Sequence, residues 1–189
     1  MTKLSPIAHH GLTAEIQNAL AKLQLKAADT PNFLKILAQS LASLRAYSAA
    51  EHALAKGRLT ALQRRQVALA VAEINGAPYC VAANIVRARE SGLCDAEIDL
   101  ARQAASSDPA SHALLQFTQA VVLQRGEIKD ADLRSVHRAG FSDSEIVEII
   151  GNIAINIFTN YLNLIAKTEA AISPPPRVPR APALAEPVK

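Results

Sequence analysis

Glycine and proline cut this chain into lengths that helices fill. Pro31, Pro78 and Pro109 each stand where the first turn of a helix tolerates a missing N–H. Gly57, Gly76, Gly92, Gly126 and Gly140 each fit a position just past a helix end, where a left-handed turn is common. Between these marks the apolar residues recur at helical spacing, and no segment alternates as a strand would. The spacing predicts helices over 13–27, 31–42, 44–56, 61–75, 78–91, 95–106, 109–125, 130–139 and 143–167. Thr13, Thr30, Ser43, Thr60 and Ser142 are the expected N-caps, and Ser142 with Glu145 reads as a capping box. Such a chain is all-α, a helical bundle. Its 189 residues suffice for one domain with a substantial core, placed at 1–172. Residues 173–189 hold six of the ten prolines and are expected to form an extended, disordered tail with no packed role.

Composition excludes several functions. Half the residues are hydrophobic but only 4% are aromatic, so alanine and leucine must build the core through close helix packing. The net charge is +3, and Arg177, Arg180 and Lys189 against Glu186 place +2 of it in the tail. A body near +1 lacks the basic surface of a nucleic-acid binder. The longest apolar stretch, 146–165, is interrupted by Asn152, Asn156, Asn160 and Asn163, which argues against a membrane span. The first residues have no apolar run of the kind a signal peptide needs. Two cysteines, Cys80 and Cys94, fit reduced thiols in a cytoplasm better than a disulfide scaffold. His9, His10, His52, His112 and His137 have no metal-ligand spacing, so neither a metal nor a cofactor is expected.

The stretch 62–93 carries the chemistry. A helix with Val67, Leu69 and Val71 ends at Asn75-Gly76, and a second begins at once with Pro78-Tyr79-Cys80. A thiol in a first helical turn sits among free backbone N–H groups and the positive end of the dipole, which favours thiolate. Asn84 and Arg87 follow Cys80 at i+4 and i+7, on the same face. A dithiol redox centre here would need a second cysteine three residues before Cys80, and that residue is Ala77. Cys94 is fourteen residues on, about 21 Å along a straight helix, so no Cys80–Cys94 disulfide is expected. Cys94-Asp95-Ala96-Glu97 instead reads as a capping box with cysteine in place of serine. Asn152, Asn156, Asn160 and Asn163 fall on one helical face, where four amides must find partners between helices or wall a pocket.

The run VALAVAEINGAPYCVAANIVRARESGL resembles the core of the alkylhydroperoxidase D-like proteins of the carboxymuconolactone decarboxylase family, in the peroxidase-related branch. PNFLKILAQSLASLRAYSAAEHALAKGRL before it and GFSDSEIVEIIGNIAINIFTNYLNLIA after it extend the likeness over about 31–166. The resemblance implies an all-helical fold that assembles into trimers or hexamers, and thiol-dependent peroxide reduction. It puts Arg65 where dithiol members carry a glutamate, Ala77 at the first cysteine, Cys80 at the second and Asn84 at a histidine. Cys80 is then the candidate catalytic thiol, with Arg65 approaching it from the neighbouring helix. Arg65, Tyr79, Asn84, Arg87, Asn156 and Asn160 are expected to wall its pocket. Two readings follow. One is a single-thiol peroxidase resolved by an external thiol reductant. The other is a non-redox oligomer, structural or binding a small, anionic ligand on the same scaffold.

Overall fold

The computed structural model describes residues 4–7, 13–21, 30–168, 175–176 and 178. Among them the chain forms nine helices and no strand: α1 (Ala14–Ala21), α2 (Asn32–Leu37), α3 (Leu41–Leu54), α4 (Ala61–Ile74), α5 (Pro78–Glu90), α6 (Asp95–Arg102), α7 (Pro109–Leu123), α8 (Asp130–Arg138) and α9 (Asp143–Ala166). The expected all-α bundle is what forms, with nine helices in the expected order, but α2 ends at Leu37 rather than 42, and α3 begins at Leu41, within the span expected for α2. The part of the first helix expected beyond Ala21, and the tail except for 175–176 and 178, lie outside the described residues.

Local chemistry sets most boundaries. Thr60 and Gln63 close a reciprocal capping box on α4, as Ser142 and Glu145 do on α9. Pro78 and Pro109 open α5 and α7. Thr13 accepts the Ile16 N–H at 3.3 Å. Two caps differ from expectation. Ser40, not Ser43, caps α3, accepting the Ser43 N–H at 3.2 Å. Pro31, not Thr30, stands at the N-cap of α2, where its carbonyl receives the N–H groups of Leu34 and Lys35. Cys94 does stand at the N-cap of α6, but its side chain accepts no capping hydrogen bond. Glu97, its expected partner, turns to the Ser106 hydroxyl and the Ser107 N–H instead. The end of α6 also comes early. Ala104 adopts a left-handed φ of 56°, and the Ala105 N–H reaches back to the Leu100 carbonyl. This is a glycine-type helix stop made by an alanine.

α4 is the axis of the bundle and packs against α5, α6, α7 and α9. Every residue from Gln66 to Ala72 is buried. Its alanines, Ala68, Ala70 and Ala72, leave room for neighbours on all sides of this buried stretch. Val67 and Val71 join Leu114, Ile149 and Ile153 in one core cluster with α7 and α9. Leu69 and Ala70 join Ala88, Ile98 and Leu115 in another with α5, α6 and α7. A third cluster unites α1, α2 and α3 around Leu20, Leu34 and Leu44. α9 is the one described helix long and apolar enough to cross a membrane, but it packs against α2, α3, α4, α5 and α7. Glu148 on α9 anchors the turn before α4 by accepting the N–H groups of Arg58 (2.7 Å) and Leu59 (3.2 Å).

Candidate functional site

α2, α3, α4, α5 and α9 enclose a cavity of about 80 Å³. It gathers Arg65, Tyr79, Cys80, Asn84, Arg87 and Asn156, six of the seven residues that the sequence marks out. Asn160, the seventh, does not line it. Asn160 is fully buried, and neither atom of its amide has a hydrogen-bond partner among the described residues. Asn152 and Asn163 line the cavity in its place. Phe33, Tyr47 and Glu51 also face it, and sequence reasoning missed all three.

The asparagines of α9 mainly satisfy their own helix. Asn152, Asn156 and Asn163 donate to the carbonyls of Glu148, Asn152 and Thr159 at 2.8 Å each. Asn163 also donates to the Cys80 sulfur at 3.3 Å. Asn84 donates to the Ala68 carbonyl at 3.2 Å, tying α5 to α4. An amide in that role holds two helices together but cannot relay a proton.

Cys80 occupies the third position of α5, as expected, yet it is only 6% exposed. Burial pushes its thiol up to about 11, against the smaller opposing effects of the Asn163 hydrogen bond and the Arg87 charge. Desolvation disfavours the thiolate, and here it outweighs the helix start. The expected activation is therefore reversed. The guanidinium that acts on the sulfur is that of Arg87, from the same helix, rather than that of Arg65. Cys94 is exposed, and both cysteines are free. At pH 7.5, iodoacetamide is expected to label Cys94 at least about tenfold faster than Cys80, with the Cys80 rate still rising above pH 10. Mass-spectrometric peptide mapping over a pH series measures both. A Cys80 rate that levels off below pH 8 would contradict the buried neutral thiol.

The cationic groups define the cavity. Burial holds the Arg65 guanidinium below its ordinary pKa, the Arg87 charge lowers it further, and Glu51 acts in the opposite direction. Arg87 lies 6.0 Å over the Phe33 ring. Phe33 is itself braced by Tyr47 (5.9 Å, edge-on) and Tyr79 (6.3 Å, tilted). Burial raises the pKa of both tyrosines, so their hydroxyls stay neutral. Among the described residues, no ion pair reaches Arg65 or Arg87. Three arginines thus line one small cavity: Arg64 donates to the Leu59 carbonyl at 2.6 Å, while Arg65 and Arg87 have the Glu51 carboxylate near them but not paired to them.

Residues 39–121 match the carboxymuconolactone decarboxylase family. That stretch is what the chain shares with the family. No curated protein sequence matches the chain. Solved structures with the same fold include an uncharacterized peroxidase-related protein from Ralstonia eutropha JMP134, described as an alkylhydroperoxidase AhpD core. It is 23% identical at a TM-score of 0.77, over 90% of this chain and 94% of that one. A peroxidase-related protein from Silicibacter sp. TM1040 is also 23% identical, at a TM-score of 0.76 over 88% and 91% of the two chains. The debrominase Bmp8 is 16% identical at a TM-score of 0.76, over 90% and 92%. A cysteine-to-alanine variant of Bmp8 was crystallised with 2,3,4-tribromopyrrole. At these identities the likeness establishes the alkylhydroperoxidase D core fold, and members of that fold carry different activities.

Proposed function

We propose that this chain is a ligand-binding member of its family, which takes a small carboxylate in the Arg65–Arg87 cavity and does not run a dithiol peroxide cycle. The observation that carries this reading is that, of the three arginines lining the cavity, Arg65 and Arg87 have no ion-pair partner among the described residues. Two like charges in a desolvated space repel each other, and an anion between them relieves both. Arginine pairs suit carboxylates because each planar fork can donate two parallel hydrogen bonds. A cavity of about 80 Å³ admits a group of a few heavy atoms. Phe33 and Tyr47 give its small apolar portion a wall.

The family's peroxide chemistry is the competing reading, with Cys80 as sole thiol and an external thiol to resolve it. That cycle needs a thiolate and a proton relay. Against it stand a thiol raised by burial, Ala77 at the place of the partner sulfur and Asn84 in a structural bond. The debrominase of the same fold supports the view that this scaffold serves unlike chemistries.

Titration of the wild type with acetate and lactate tests the proposal, followed by calorimetry and by thermal shift. Both carboxylates are expected to bind saturably, while acetamide, a neutral analogue, is not. Arg87→Gln is expected to weaken binding by about tenfold or more, the scale of one lost charge-assisted hydrogen bond. Equal behaviour of acetate and acetamide would sink the anion site.

We also infer a homo-oligomer, with a trimer or hexamer as the family resemblance implies. Val147, Ile150, Phe158, Tyr161 and Ile165 form one exposed apolar stripe on α9, with Val147 68% and Ile165 66% exposed. Monomers rarely leave such a stripe in water. Light scattering at micromolar concentration is expected to report a mass of several chains, and a stable monomer would count against it. Two free thiols fit a reducing cytoplasm.

A further inference from the structure

Glu73, in the last turn of α4, and Arg102, the last residue of α6, form a buried pair, their side chains 7% and 6% exposed. Arg102 Nε meets Glu73 Oε2 at 3.0 Å, and Arg102 Nη1 lies 3.6 Å from Asp99. This leaves one guanidinium nitrogen and one carboxylate oxygen, and the helices do not use them. Arg102 Nη2 donates to the Pro176 carbonyl. Glu73 Oε1 accepts the Val178 N–H at 3.1 Å. The tail, expected from sequence to have no packed role, therefore touches the bundle through its backbone.

The match is one of chemistry and spacing. In an extended chain the carbonyl of residue i and the N–H of residue i+2 face the same side. The ion pair presents one donor and one acceptor to that edge, and both hydrogen bonds are charge-assisted. Neither contact reads a side chain. The one demand on sequence is an N–H at the second position. Val178 supplies it in a segment where Pro174, Pro175, Pro176 and Pro179 have none. Those prolines favour an extended chain before binding, which lowers the entropy lost on docking.

We propose that the buried Glu73–Arg102 pair is a binding site for an extended, proline-flanked peptide segment, and that its occupant is this chain's own tail, held by the Pro176 carbonyl and the Val178 N–H.

Limited trypsin digestion of the full chain tests this at the Arg177–Val178 bond, whose N–H the clamp holds. Cleavage there is expected to be at least about tenfold slower than in a synthetic peptide of residues 171–183, because a protease must first open the contact. The protection should not change on dilution. Glu73→Met with Arg102→Met removes both charges at similar volume, and its circular dichroism reports whether the bundle still folds. Cleavage should then approach the peptide's rate. Val178→Pro and Val178→Ala supply a test that leaves the core untouched, read by 15N relaxation of the Arg177 amide. The alanine variant keeps the N–H and should stay as ordered as wild type, whereas the proline variant should move like the free peptide. Full-chain cleavage at the peptide's rate would overturn the proposal. So would a folded double-methionine variant that keeps its protection, or equal Arg177 mobility in both tail variants. Protection lost on dilution would assign the tail to a second copy and overturn the own-chain occupant.

Discussion

Arg102→Ala is expected to destabilise the fold by about 3–5 kcal/mol, the usual penalty for leaving one partner of a buried ion pair behind. The magnitude follows from what Glu73 loses. Its carboxylate stays buried, 7% exposed, with only the Val178 N–H still donating to it. Urea denaturation followed by circular dichroism should show a lower midpoint at an unchanged slope, and the melting temperature should fall by roughly 10 °C for a chain of this size. Arg134→Ala is the control. Its partner Asp130 is 3.9 Å away, and both side chains are well exposed, so its removal should leave the midpoint where it is. If both variants shift alike, water reaches the Glu73–Arg102 pair and the large penalty does not apply.

The fold was legible because its signals are local. Proline at the start of α5 and α7, glycine after α5, α7 and α8, and the period of apolar residues between them mark where helices begin and end. Where that code failed, the reason is visible. Nothing in the sequence tells Ala104 from any other alanine, yet it takes the left-handed turn that ends α6. Ser40 and Ser43 lie three residues apart, and capping depended on whether Leu41 joined the helix, which packing decides.

The lining of the cavity was largely legible in the sequence, but the environment of its residues was not. At about 100° per residue, Asn156 and Asn163 lie roughly 40° and 20° around α9 from Asn152, but Asn160 lies roughly 80° away. That rotation separates three asparagines that line the cavity from one buried outside it. The state of Cys80 failed for a related reason. Its position on α5 is local and was read correctly, but the depth of that position depends on the helices packed over it, Asn163 of α9 among them. Glu73, Arg102 and the tail are likewise far apart in sequence, so no periodicity links them.

Restoring the family residues should return chemistry to this scaffold. Ala77→Cys together with Arg65→Glu and Asn84→His is expected to raise thiol-dependent peroxide consumption over wild type by on the order of a hundredfold, the lower range of what a positioned acid–base group contributes. Ala77 is the N-cap of α5 and only 1% exposed, so a sulfur there would lie beside Cys80 at the helix start. Arg65→Glu removes one of the mutually repelling arginine charges and places a carboxylate on the cavity wall. Asn84→His gives up the bond to the Ala68 carbonyl but supplies a group that can carry a proton. Ala77→Cys alone should form a disulfide with Cys80 that dithiothreitol reduces, yet turn over little, because no relay has been restored. The comparison also judges the wild type. If its peroxide consumption already equals that of the triple variant and vanishes in Cys80→Ser, a buried thiol pushed up to about 11 is no obstacle to catalysis. The single-thiol enzyme would then be the correct reading, and the arginines of the cavity would serve the thiolate formed during turnover rather than a bound carboxylate.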